Sequence, residues 1–235
     1  SPSPAPSTPA LLETIVRFFT PLSRMALIKV SGIPQRPKPP QQISMPSLST
    51  ADQRARPPRV EIPRDYNAAH DLIERNLVAG RAGKTAYIDD AGAYTYGELS
   101  ERVNRCANAL TALGIAPEQR VLLCHLDGID FPAAFLGAIK AGIVPIAANT
   151  LLTTHDYDYM LRDSRARALV VSAALLPAFA PLLGKHPHLA QVVVSGAADD
   201  AAAAPHHSLS GLMAAASTSP ATVTVPASNP GLPRA

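Results

Sequence analysis

Histidines are the residues of this 235-residue chain that could hold a metal ion or serve as a general base. His186-Pro-His188 and His206-His207 come in pairs, but their spacing matches no structural zinc pattern and both pairs fall in predicted loops. His70, His125 and His155 have no cysteine or aspartate nearby in a metal-binding or nucleophilic arrangement. We therefore predict solvated histidines in the two pairs and no metal site.

The two cysteines, Cys106 and Cys124, are predicted to be structural. Cys106 shares a helical face with apolar residues, and Cys124 lies inside the apolar run Val121-Leu-Leu-Cys-His-Leu126. Free cysteine is usually buried, so both thiols are expected in the core. Two cysteines form no disulfide framework and no secretory signal is evident, which favours a reducing, cytoplasmic location.

Acidic and glycine residues near turns are predicted to shape the backbone. Glu98 stands where a helix begins and is expected to cap it, and Asp89-Asp90 is expected to form a hairpin turn. Gly92 and Gly97 are too isolated for a dinucleotide loop. The turn after the apolar run reads Asp127-Gly-Ile-Asp130, which lacks the Gly-x-Gly-x-x-Gly pattern of such loops.

Proline and charge divide the chain into three parts. Residues 1–60 hold half of the 24 prolines together with eight basic and only two acidic residues, whereas the remainder is net negative. We predict a disordered, basic leader over 1–60, a folded domain over 61–198, and a linker with a disordered tail over 199–235. The basic charge belongs to the leader, so nucleic acid is not an expected partner. No apolar run reaches the roughly 18 residues of a transmembrane segment.

Residues 11–28 of the leader have some amphipathic helical character, and three readings stay open. The segment could be a targeting peptide, because it bears arginine and few acids. It could be a helix at a membrane surface. It could also be sequence upstream of the natural start, with translation beginning at Met45; we favour this third reading.

The middle of the chain alternates between strand and helix patterns. Apolar runs of four to seven residues alternate with segments of helical periodicity, which predicts right-handed βαβ crossovers and a mostly parallel sheet flanked by helices, an α/β fold. Small residues such as Gly137 are expected to let their helix lie close to the sheet. The predicted helices cover 66–79, 96–113, 131–141, 154–164, 175–183 and 208–216, and the strands 85–89, 93–96, 120–126, 143–147, 167–172 and 190–195.

Several strings within residues 65–215 resemble the adenylate-forming (AMP-forming acyl-CoA synthetase) enzymes. They include Tyr94-Thr-Tyr-Gly-Glu-Leu99 and Gly137-Ala-Ile-Lys-Ala-Gly142, followed by Asn149-Thr-Leu-Leu152. The chain is especially similar to the benzoate- and 4-hydroxybenzoate-CoA ligases. The resemblance is confined to the N-terminal lobe of such an enzyme, so the expected fold is an incomplete lobe with disordered ends.

The resemblance implies an ATP-dependent aromatic-acid:CoA ligase that forms an acyl-adenylate and then an acyl-CoA. The full-length family uses ATP, Mg and CoA with an aromatic carboxylate. Its glycine-rich phosphate loop has no match here, since Ser217-Thr-Ser-Pro220 is followed by neither glycine nor lysine. Only Lys185 follows Lys140, and Lys185 is expected to favour a helix C-terminus.

We therefore expect this chain to bind no cofactor by itself and to be inactive alone. No residue is assigned as catalytic, cofactor-binding or metal-binding. The alternative is a non-catalytic βαβ interaction module.

Overall fold

The computed structural model describes residues 46–196 and 203–220. The leader segment 11–28 and the tail beyond residue 220 lie outside the described residues. None of the described helices is both long and apolar enough to cross a bilayer. The helices are α1 (Ala68–Val78), α2 (Tyr96–Ala112), α3 (Asp130–Lys140), α4 (Thr154–Ser164), α5 (Leu176–Phe179) and α6 (Leu209–Ala215). The strands are β1 (Thr50–Asp52), β2 (Arg59–Glu61), β3 (Thr85–Asp89), β4 (Gly92–Thr95), β5 (Arg120–Cys124), β6 (Val144–Ala147), β7 (Ala168–Ser172), β8 (Gln191–Ser195) and β9 (His207–Ser208).

The predicted α/β fold is confirmed. Five parallel strands form one sheet in the order β6-β5-β7-β8-β9. Successive residues of β5 point to opposite faces: Val121 and Leu123 enter a core shared with α2, α3 and α6, whereas Leu122 enters a core shared with α4 and α5. The strands read as continuous apolar runs because both faces of the sheet are covered.

Helix starts follow the capping chemistry expected from the sequence. Thr95 accepts a hydrogen bond from the Glu98 N–H, and the Glu98 carboxylate accepts from the Thr95 N–H at 2.7 Å. Thr153 and Asp156 make the same reciprocal pair at the start of α4. The capping role predicted for Glu98 is confirmed, and the hydrogen bonds from Thr95 lower the pKa of its carboxyl.

The structure corrects the role expected of Gly137. A Cβ at this position would lie 2.9 Å from the Cβ of Cys106 and 3.1 Å from both the Ala107 nitrogen and the Val103 oxygen. All three atoms belong to α2. Gly137 therefore faces α2, whereas Ala134 and Ala138 of the same helix share a core with Val121 and Leu123 of the sheet, as expected.

Two further differences come from proline and from strand pairing. The single helix predicted over 175–183 is a 3-10 turn, the four-residue α5 and a second 3-10 turn. Pro177 and Pro181 have no N–H for a helical hydrogen bond, which explains the interruption. The short strand β9 was not predicted, because its two residues carry no periodic signal.

Strand β1 and the first two residues of β2, which pair antiparallel, lie within the segment 1–60 that the sequence assigns to the leader. The preceding residues are attached to α1. Ser49 donates through its hydroxyl to Asp71, and Arg75 donates to the Ser49 carbonyl at 2.6 Å. The part of the chain that contacts the lobe thus begins before residue 61.

Candidate functional site

A crevice opens at the carboxyl edge of the parallel sheet. The chain passes from β5 to β6 on one side and returns to β7 on the other, so β5 and β7 flank the point where the strand order reverses. Ligands of open α/β sheets bind at this kind of position. The crevice has a volume of about 420 Å³. His125, Ser172 and Ser195, which end or directly follow β5, β7 and β8, line it from the sheet side.

His125 is buried and neutral. Its side chain is only 7% exposed, and Nδ1 lies 3.2 Å from the Ser195 hydroxyl. The other ring nitrogen, Nε2, is buried and has no hydrogen-bond partner within the described part of the chain. Burial lowers the pKa of His125 to about 4, because the charged imidazolium would lose its hydration.

The neighbouring strand end fixes the loop after β5. The Ser172 hydroxyl accepts a hydrogen bond from the Leu126 N–H at 2.9 Å. The turn from Asp127 to Ile129 then leads directly into α3.

The opposite wall of the crevice carries carboxylates and one arginine, which contacts one of them. Asp89 accepts from the Ala91 and Gly92 N–H groups through one oxygen and from the Ile129 N–H, at 2.9 Å, through the other. The bond from Ile129 contributes most to lowering the pKa of Asp89. The predicted turn role of Asp89 is confirmed, and the same carboxylate also ties the β3–β4 hairpin to the start of α3.

Asp130 and Arg102 complete this wall. The Arg102 guanidinium lies 3.9 Å from the Asp130 carboxylate and 5.1 Å from the centre of the Tyr94 ring. Burial raises the pKa of Asp130, and the positive charge of Arg102 opposes that rise. The pair is partly exposed, so its contribution to stability is small.

The His125–Ser195 contact resembles a base–nucleophile pair, but its chemistry does not support catalysis. A general base works best when its pKa is near the working pH, and the pKa of His125 lies far below neutrality. No carboxylate orients the second ring nitrogen among the residues described. Ser195 is itself 3% exposed, which closes it to a substrate. The pair therefore serves the packing of the strand ends.

The crevice does not suit a metal ion or a polyphosphate. Within residues 46–196 and 203–220, no cluster of three or more His, Cys, Asp or Glu side chains could hold a metal. Asp89, Asp127 and Asp130 line the crevice against the single cation Arg102. Such a negative wall repels phosphate oxygens.

The two lysines considered from the sequence lie away from the crevice. Lys140, at the end of α3, is 4% exposed, and its Nζ has no hydrogen-bond partner in the described region. Burial lowers the pKa of this amine. Lys185 is exposed and follows Gly184, whose φ of 79° ends the preceding helical turn. Neither lysine is placed to contact a ligand at the sheet edge.

Neither of the two histidine pairs noted in the sequence forms a binding site in the described part of the chain. His186 is not solvated as predicted: its side chain is 10% exposed, and Nε2 lies 3.1 Å from Asp158. His188 is exposed, and the exposed His207 lies 3.1 Å from the Gln191 side-chain oxygen. His70 is a buried residue of α1, and His155 is exposed on α4.

Both cysteines are buried and free, as predicted. Burial raises the pKa of the Cys106 thiol to about 12, so it stays protonated and unreactive. Sequence reasoning missed the crevice itself. The available signal was the run of polar residues that follows each buried parallel strand, such as His125, Ser172 and Ser195.

Comparison with known proteins identifies the lobe. A family model described as AMP-binding enzyme matches residues 74–229. The benzoate–CoA ligase of Thauera aromatica is 64% identical over 157 residues, covering 66% of this chain and 30% of that protein. The 4-hydroxybenzoate–CoA/benzoate–CoA ligase of Rhodopseudomonas palustris is 44% identical over 133 residues, covering 57% and 25%.

Solved structures of aromatic-acid CoA ligases also match this chain. A benzoate CoA ligase from Burkholderia xenovorans matches with a TM-score of 0.59 at 44% identity, over 68% of this chain and 30% of the other. An anthranilate CoA ligase in complex with anthranoyl-AMP matches with a TM-score of 0.63 at 33% identity, over 69% and 30%. The chain thus spans between 25% and 30% of the length of these relatives. It belongs to the AMP-binding enzyme family and corresponds to the N-terminal part of the aromatic-acid CoA ligases.

Proposed function

We propose that this chain supplies the N-terminal lobe of an ATP-dependent, AMP-forming aromatic-acid:CoA ligase. The observation that carries the proposal is the 64% identity over 157 residues to the benzoate–CoA ligase of Thauera aromatica. In the proposed reaction a carboxylate oxygen attacks the α-phosphorus of ATP and pyrophosphate leaves. The CoA thiolate then attacks the acyl carbon and AMP leaves.

We further propose that the 235 residues do not catalyse this reaction by themselves. Stabilising the charge that develops on the phosphates requires backbone N–H groups and cationic side chains aimed at them. The sequence contains no Ser/Thr/Gly-rich loop that ends in Pro-Lys-Gly. The crevice of the lobe presents carboxylates instead. The lobe would therefore act as the scaffold against which an ATP- and acyl-binding part packs.

The test is a complementation assay with the full chain. The purified chain is mixed with benzoate, ATP, Mg²⁺ and CoA, and pyrophosphate and benzoyl-CoA are measured. A parallel reaction adds the part of the Thauera aromatica ligase that lies C-terminal to the matched segment. We expect no turnover from the chain alone and restored turnover from the mixture.

Each half of the proposal has its own contrary result. Turnover by the chain alone would show that the inactivity is wrong. If the mixture is inactive and sedimentation shows that the two polypeptides do not associate, the proposal that the chain supplies the lobe of a working ligase is wrong and the non-catalytic module is favoured. The intact Thauera aromatica ligase serves as the positive control.

A further inference from the structure

One face of α2 holds the polypeptide that follows α6. Arg105 donates through Nη1 to the carbonyls of Met213, Ala214 and Ala216 at 3.1, 3.4 and 3.2 Å. The Ala214 and Ala216 carbonyls lie at the C-terminal end of α6, where helical carbonyls lack internal partners, whereas the Met213 carbonyl also accepts from the Ala216 N–H at 3.2 Å. A guanidinium at this end also interacts favourably with the negative end of the helix dipole.

Two asparagines of α2 continue the contact along the chain. Asn108 donates to the carbonyls of Ser217 and Ser219 at 2.8 and 3.0 Å. Asn104 donates to the carbonyl of Thr218 at 2.9 Å. Asn104 and Asn108 are four residues apart and therefore share one side of the helix. We call Asn104, Arg105 and Asn108 the α2 clamp, and residues 216–219 the exit segment.

The clamp binds the main chain of the exit segment. All four of its consecutive carbonyls accept a hydrogen bond from the clamp. The side chains of 217–219 are exposed, so little apolar burial secures the segment. Asn104 is 7% exposed. Its amide nitrogen donates to Thr218, whereas its Oδ1 is buried and has no partner in the described region. An unpaired buried acceptor is unfavourable, so the hydrogen bond from the amide nitrogen to the Thr218 carbonyl is the favourable polar contact of this side chain.

We infer that the α2 clamp is a docking surface for the chain's own backbone, which fixes the direction in which the polypeptide leaves the lobe without reading the side chains of the exit segment. The family match continues to residue 229, beyond the clamp. The clamp thus sets the path of the chain at the point where the lobe passes into the following part of the matched region. This inference concerns the lobe itself and is independent of its activity.

The experiment compares two kinds of variant by limited proteolysis of the full chain. Arg105→Gln combined with Asn108→Ala removes five of the donor contacts but leaves the exit segment unchanged. Thr218→Ala and Ser219→Ala together change two hydroxyls of the segment but keep its carbonyls and the Ser217 hydroxyl, which accepts from the Ser219 N–H at 3.1 Å. Cleavage by proteinase K within residues 213–220 is located by mass spectrometry and timed.

We expect the clamp variant to be cleaved at least about tenfold faster than wild type, since several hydrogen bonds that hold the segment are lost. The double alanine variant should be cleaved within about twofold of the wild-type rate. Arg162→Gln is the matched control, because it removes an arginine from the exposed pair with Asp158 on α4. A urea titration shows whether each variant is still folded.

Three results would overturn the inference. The first is equal cleavage of the clamp variant and wild type. The second is release of the segment by the double alanine variant. The third is rapid cleavage of the wild-type segment itself. If the clamp variant fails to fold, Arg105→Lys provides the second measurement. It keeps one cationic donor, so we expect it to be cleaved faster than wild type and Arg162→Gln but more slowly than a fully released segment. A wild-type rate would count against the clamp.

Discussion

Replacing Gly137 with alanine tests the contact on which the packing of α2 against α3 depends. Helix propensity alone favours the substitution by about 1 kcal/mol, because alanine is the better helix former. The structure predicts the opposite result. The new methyl group would lie 2.9 Å from the Cβ of Cys106, a distance that real Cβ atoms essentially never show.

The cost follows from what the methyl group would meet. Besides Cys106 it would lie 3.1 Å from the Ala107 nitrogen and 3.1 Å from the Val103 oxygen, and both are backbone atoms of a helix that cannot rotate away. The two helices must separate to admit it. Overpacking of this kind costs about 1–3 kcal/mol in a well-packed core. Because the backbone gives little, we take about 3 kcal/mol, and subtracting the gain in propensity leaves about 2 kcal/mol of destabilisation.

Urea unfolding followed by circular dichroism measures the difference in unfolding free energy between Gly137→Ala and wild type, from the midpoint and the slope of the transition. Gly83→Ala is the matched control, since a Cβ at Gly83 meets nothing within 4 Å and its φ is not positive. We expect that control to leave the free energy of unfolding unchanged or slightly higher. A Gly137→Ala chain as stable as wild type would refute the reasoning, because the helix contact would then be loose enough to accept a methyl group.

Three other predictions concern capping, titration and thiol reactivity. Thr95→Ala removes the capping box of α2 and should lower the free energy of unfolding by about 1 kcal/mol in the same urea assay, whereas full retention of stability would contradict the role of the cap. His125 is neutral in the folded state, with a pKa of about 4 against 6.5 when unfolded, so the unfolded chain binds the proton first. The contribution of His125 to the free energy of unfolding should be fully present above pH 6.5 and decline by roughly 3 kcal/mol as the pH falls toward 4. His125→Gln should reduce this dependence of the unfolding free energy on pH, and an unchanged dependence would count against the burial of a neutral His125. Cys106 and Cys124 are buried, so Ellman's reagent should label neither in the native chain and both in urea, and rapid native labelling would contradict their burial.

The sequence was sufficient for the elements whose stability is local. The β5 run was predicted as a buried parallel strand because its residues are apolar on both faces, and the structure confirms it. Thr95 and Glu98 were recognisable as a cap because both partners lie within one helical turn. The failure over 175–183 was also local, since Pro177 and Pro181 could have been taken as breaks.

The candidate site depends on contacts that sequence distance hides. His125 and Ser195 are 70 residues apart, and only the parallel pairing of β5, β7 and β8 brings their strand ends together. Gly137 was identified as a close-contact residue, but periodicity alone could not say whether the sheet or another helix would approach it. The second role of Asp89, accepting from Ile129, likewise needs the tertiary fold.

The distribution of charge ties the crevice to the proposed need for a second part. A site that forms an acyl-adenylate has to neutralise several phosphate oxygens. In the described lobe Arg102 faces Asp130, Arg105 is bonded to carbonyls of α6, and Lys140 is buried with a lowered pKa. Recruiting any of these cations would break a packing or capping contact, and the carboxylate wall of the crevice would oppose the incoming phosphates. If the proposed reaction is correct, we therefore expect its phosphate-binding groups to come from outside this crevice.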